Sequence, residues 1–78
     1  MDLREVDFKI LQTLHSHECL SIYELSRRLK RPKSLIYKHV EKLKRYGLVD
    51  IVVKSKSRSI VYYVKLTEKG FEILSIAK

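Results

Sequence analysis

Pro32-Lys33-Ser34-Leu35-Ile36-Tyr37-Lys38-His39-Val40-Glu41-Lys42-Leu43-Lys44-Arg45-Tyr46-Gly47-Leu48-Val49 is the stretch whose reading decides the fold. Proline has no amide proton and a fixed φ, so Pro32 ends the helix before it and can itself open the next. Ile36, Val40 and Leu43 then recur at i, i+4 and i+7, the spacing of one buried stripe, and predict a helix over about 32–46. Gly47 suits the left-handed conformation that closes a helix, and Leu48 can fold back on Leu43, the apolar contact that accompanies such a cap. Immediately afterwards the period changes. Residues 48–53 and 60–66 are β-branched and aromatic and predict two strands, joined by the polar tip Lys54-Ser55-Lys56-Ser57-Arg58-Ser59.

Working upstream, Leu20-Ser21-Ile22-Tyr23-Glu24-Leu25 carries the start of a short helix. Ser21 caps it, Glu24 completes the capping box and Leu20 can staple against Leu25, the cap contributing about 1 kcal/mol. Leu25 and Leu29 face inward, while Arg27, Arg28 and Lys30 face out. A first helix is expected over about 3–16, opened by Asp2 with Glu5 and buried through Val6, Ile10, Leu11 and Leu14. Downstream, Thr67 caps a last helix whose apolar face is Phe71, Leu74 and Ile76, with Leu66 and Phe71 as its staple. Tyr62 and Tyr63 point to opposite faces of their strand, which places one in the core and one on the surface. Helix, helix, helix, hairpin, helix is the order of a winged helix-turn-helix. The expected class is α+β, mainly helical: a three-helix core, a β-hairpin wing and a short C-terminal helix, with the turn around Lys30-Arg31-Pro32.

With 78 residues, the sequence reads as a single domain over 1–78, too small for a large catalytic cleft. At 45% hydrophobic it can build a core, so it is not a disordered tail. No apolar run is long enough for a membrane span, and the opening Met1-Asp2-Leu3-Arg4-Glu5 is unlike a secretory signal. The single Cys19 cannot form an internal disulfide, which makes the cytoplasm the expected compartment. Asn is absent and Gln occurs once, a bias shared with thermophile proteins. Seventeen Lys and Arg against nine Asp and Glu give a net charge of +8. Its distribution says more. From Arg27 to Arg58 there are twelve basic residues and two acidic ones, a net of +10, while the rest of the chain is slightly acidic. One cationic surface on a near-neutral frame is the footprint of a polyanion partner.

Three stretches carry a family likeness: Leu20–Leu29, Val40–Val49 and Leu66-Thr67-Glu68-Lys69-Gly70. Together, and at this spacing, they resemble winged-helix regulators of the MarR, ArsR and PadR type, which occur in bacteria, archaea and archaeal viruses. The resemblance covers roughly residues 5–75. It implies a DNA-binding transcription regulator working as a homodimer. Many such regulators continue into a long dimerisation helix where this sequence ends at Lys78, so a smaller interface through Phe71, Leu74 and Ile76 is expected.

In a helix-turn-helix the third helix enters the major groove, its N-terminal half nearest the base edges. Lys33, Ser34, Tyr37 and Lys38 are therefore the base-reading candidates, with Lys42 and Arg45 further along the same helix. No acidic residue occurs from Arg27 to Val40, which argues against an ordinary solvated face. Arg31 is a poor side-chain cap, so the first amides of this helix are expected to meet a phosphate, supported by Arg27, Arg28 and Arg31. That expectation fails if Ser34 caps a later start. Lys54, Lys56 and Arg58 would lie on the DNA backbone or in the minor groove. His15, His17 and Cys19 form an H-x-H-x-C string that converges on a metal only in extended chain; the expectation is no metal, no cofactor and no small-molecule ligand. His39 reads as a packed or solvent-edge histidine. No catalytic constellation is present, and an enzyme is not expected. The competing reading is a winged-helix adaptor in a protein or RNA assembly.

Overall fold

The computed structural model describes residues 2–76, the side chain of Lys56 excepted. The elements run α1 (Glu5–His15), β1 (Leu20–Ser21), α2 (Ile22–Leu29), α3 (Lys33–Arg45), β2 (Val49–Lys56), β3 (Ser59–Leu66) and α4 (Glu68–Ile76). The three strands form an antiparallel sheet in the order β1-β3-β2. One core collects Ile10, Leu11 and Leu14 from α1, Leu25 from α2, Ile36, Val40 and Leu43 from α3, and Val49, Val64 and Leu74 from the sheet and last helix. This is the winged-helix architecture, with one strand that sequence periodicity does not reveal: β1 is two residues long, and Leu20 and Ser21 pair with Val64 and Tyr63.

The helix ends show which local signals prevail. Ser21 Oγ accepts the Glu24 amide at 3.1 Å and Glu24 Oε1 accepts the Ser21 amide at 3.1 Å, the expected reciprocal box. At the end of α3, Gly47 has φ +76°; its amide reaches the Lys44 carbonyl at 2.9 Å and the Leu48 amide reaches the Leu43 carbonyl at 3.0 Å. Two expectations need correction. The first helix does not open on Asp2 and Glu5: the Arg4 amide donates to Asp7 Oδ2 at 2.8 Å, and α1 begins at Glu5. Asp2 and Glu5 instead sit exposed beside Arg4 and Lys9, at 3.9 and 3.2 Å. Nor does Pro32 stop α2. Lys30 does so by entering the left-handed region (φ 55°, ψ 46°), with the Arg31 amide on the Ser26 carbonyl at 3.1 Å. Pro32 is the residue before α3, in extended conformation with its carbonyl accepting the Ile36 amide, rather than the first residue within it.

The hairpin is longer and its turn tighter than expected. Lys56 pairs with Ser59, leaving only Ser57 and Arg58 in the turn, and Ser57 takes the positive φ (48°) that two-residue hairpin turns require at this position. Val49, Ile51 and Val53 share one face with Leu66, Val64 and Tyr62. That face is buried at its base but runs on past the domain body, where Val53, Ile60 and Tyr62 are exposed. Neither tyrosine therefore enters the core: Tyr63, on the other face, is half-buried with Lys54 Nζ 5.3 Å from its ring centre.

Helix α4 begins against the end of α3. Thr67 Oγ1 accepts the Gly70 amide at 3.1 Å and donates to the Gly47 carbonyl at 2.6 Å, while the Thr67 amide donates to the Leu48 carbonyl at 3.1 Å. Of the apolar face assigned to a dimer, Leu74 is buried in the protomer's own core and is not available to a partner. Phe71 is half-exposed, its ring edge-on to His15 at 5.4 Å, and Ile76 is exposed.

Candidate nucleic-acid interface

Helix α3 has its core stripe at Ile36, Val40 and Leu43, all fully buried. The 3.6-residue repeat then turns Ser34, Lys38, Glu41 and Arg45 away from the body, and all four are exposed. Lys33 and Tyr37 are exposed on one flank. The Glu41 carboxylate one turn along pushes the Tyr37 phenol above its ordinary value, so the hydroxyl is a protonated donor at neutral pH. Lys42 corrects the sequence reading: its Nζ turns inward to Asp7 Oδ2 at 2.5 Å instead of joining the outward face.

Asp7 is the residue the sequence reading missed. Its carboxylate has no solvent exposure, yet it accepts the Arg4 amide, Lys42 Nζ and, at 2.8 Å, His39 Nδ1. Burial pushes the Asp7 carboxyl up, but the Arg4 amide, Lys42 and His39 outweigh it and hold the group below its ordinary value of 3.8. The signal was present: Asp7 precedes Ile10, Leu11 and Leu14 by three, four and seven residues, so a carboxylate lies in line with the buried stripe of α1, at its N-terminal end.

The start of α3 has no side-chain cap, and Ser34 lies inside its first turn rather than at a later start. Arg31 adjoins it in the chain, Arg27 approaches it through Tyr23, and Arg28 is exposed on α2. Tyr23, half-exposed and also missed, organises two cations here. Its hydroxyl accepts Arg27 at 3.0 Å, and both the Arg27 guanidinium and Lys33 Nζ stand 5.6 Å from its ring centre. On the wing, Lys54 and Arg58 are exposed, and the side chain of Lys56 lies outside the described residues.

On the flank of α3 away from Tyr37, a cleft of about 610 Å³ separates that helix from the start of α1. Arg4 and Val6 line one wall and Leu35, Lys38 and Arg45 the other, with Arg31 at one end.

His15, His17 and Cys19 do not converge: His15 packs on Phe71, His17 Nδ1 lies 3.0 Å from the Thr13 carbonyl, and Cys19 is a half-buried thiol. Among the described residues no group of three potential metal ligands occurs, and no helix is long and apolar enough to cross a membrane.

Residues 1–71 match the family described as sugar-specific transcriptional regulator TrmB. The chain belongs to the TrmB family. Its fold is that of solved transcription regulators. Against BldR of Sulfolobus solfataricus the TM-score is 0.86 with 38% identity, covering 99% of this chain and 54% of that one. Against wild-type MarR of E. coli it is 0.81 with 25% identity, covering 92% and 53%. A MepR mutant of S. aureus, 18% identical, shares the fold at a TM-score of 0.86. The TrmB-family chain thus spans about half the length of the solved regulators it matches. No curated protein sequence matches it.

Proposed function

We propose that this chain is the DNA-binding unit of a sequence-specific transcription regulator acting in the cytoplasm, without catalysis or cofactor. Helix α3 enters the major groove and presents Lys33, Ser34, Tyr37, Lys38 and Arg45 to base edges and phosphates. The uncapped start of α3, with Arg27, Arg28 and Arg31, holds a phosphate. Lys54, Lys56 and Arg58 follow the backbone or enter the minor groove. The observation that carries this reading is the coincidence of the +10 segment with α3 and the wing, the two elements a winged helix directs at DNA. Two copies pair through Phe71 and Ile76, both exposed, and read half-sites about 10 bp apart.

Selection of bound duplexes from a random pool tests this: a palindromic consensus is expected, and equal weak affinity for every sequence would overturn specific recognition. A second reading, an adaptor for a protein assembly, is favoured by the exposed wing residues Val53, Ile60 and Tyr62. The double variant Lys38→Glu, Lys56→Glu separates the two, because duplex affinity that survives it excludes α3 and the wing as the DNA surface.

A further inference from the structure

The two flanks of α3 are not alike. Tyr37 is exposed on one flank, whereas Leu35, His39 and Lys42 line the cleft against the start of α1 on the other. A helix lying in a major groove has a sugar–phosphate strand on each side of it. The wing attends to one strand. We infer that the cleft between α1 and α3 receives the other, with the Arg4 side chain as a phosphate contact, so that the duplex is held between wing and α1.

Four cations surround this opening: Arg4, Arg31, Lys38 and Arg45. Lys38 and Arg45 are seven residues apart on α3, about 10 Å along its axis, and both line the α3 side of the cleft. The lining residues on α3 extend from Leu35 to Arg45, so a strand laid in the cleft would run past both cations. Lys42 and His39 lie at its base, already directed to the buried Asp7, and so act as its floor. Two acids stand on the α1 rim, but each has a cation beside it: Asp2 lies 3.9 Å from Arg4 and Glu5 lies 3.2 Å from Lys9. The Asp2–Arg4 pair is exposed on both sides, a pairing weak enough for a phosphate to displace. Arg4 holds α1 through its main chain, its amide on Asp7 and its carbonyl on the Phe8 amide, which leaves its side chain available to DNA without cost to the helix start.

This inference rests on the DNA reading above, and its test separates the two. Duplex affinity is measured over a range of salt concentrations for the wild-type chain, Arg4→Ala and Asp2→Asn, with helical content checked by circular dichroism. Arg4→Ala is expected to flatten the slope of log K against log salt by about 0.9, the loss of one phosphate contact, while leaving the ranking of different duplexes unchanged. Asp2→Asn, which removes a competitor for Arg4, is expected to strengthen binding. A wild-type slope in Arg4→Ala overturns the α1 contact and leaves the regulator reading standing. Failure of the wild-type chain to bind any duplex overturns both.

Discussion

His39 Nδ1 lies 2.8 Å from Asp7 Oδ1, joining the face of α3 next to its outward surface to a carboxylate that water does not reach. Lys42 binds the second oxygen, so two side chains one turn apart on α3 are fastened to one residue of α1. These bonds add to the apolar stripe in holding α3 against α1. Asp7→Ala leaves both partners facing a hole, and breaking a buried pair in this way costs about 3 kcal/mol or more. Urea unfolding is expected to show a loss of unfolding free energy of that size, a large share of the stability of so small a domain.

Lys42→Ala gives a sharper check on the difference between holding the helix and reading DNA. It is expected to lower stability, while duplex affinity per folded molecule stays within about threefold of wild type, less than one good base contact contributes. Lys38→Ala should do the reverse, weakening binding with unfolding unchanged. A comparison of titration and melting curves for the two variants settles which lysine serves which role.

The depressed carboxyl of Asp7 makes a pH prediction. Because its folded value lies below 3.8, the stability it contributes is complete above that value and is lost as the pH falls through 3.8 toward the folded value. The stability gap between wild type and Asp7→Asn is therefore expected to narrow below about pH 4. Parallel unfolding curves from pH 7 to pH 3 measure it.

Lys30 occupies the left-handed region at the end of α2 without the freedom of glycine. Lys30→Gly removes that steric penalty, worth about 1 kcal/mol, and for a domain of this size is expected to raise Tm by roughly 4–8 °C. A thermal melt showing no gain would mean that the Lys30 side chain stabilises the turn.

Gly70 is the opposite case. A Cβ there would stand 2.4 Å from the Leu48 carbonyl oxygen and 2.7 Å from Leu66 Cδ1, and the carbonyl already accepts the Thr67 amide. Gly70→Ala is expected to destabilise the domain by about 2 kcal/mol, despite alanine's better helix propensity. Calorimetry of the variant tests whether α4 can move away.

These residues also mark what the chain discloses without a structure. The box at Ser21 and Glu24 and the closure at Gly47 and Leu48 are written within six residues, and both form as the sequence implies. The start of α1 was misread because two acids, Asp2 and Asp7, each offer an acceptor three residues from a neighbouring amide or turn. The contest is decided by His39 and Lys42, more than thirty positions away. The role of Gly70 and the pairing of β1 with β3 are long-range in the same sense. For the proposed interface, charge pointed to the region, and helical phase identified Ser34, Lys38, Glu41 and Arg45 as the outward residues that the structure leaves exposed. Helical phase alone could not show that Lys42 has an internal partner.

Ser21 is at once a strand residue opposite Tyr63 and the cap of α2. The return strand of the hairpin and the first helix of the helix-turn-helix therefore share a hinge-free joint. If the hairpin keeps the angle this joint gives it, the span between α3 and wing tip is set, like a caliper locked at a single setting. A duplex gripped at both points must itself supply any curvature or change of groove width. Pliable pyrimidine–purine steps between the two contacts would then be favoured at positions no side chain touches.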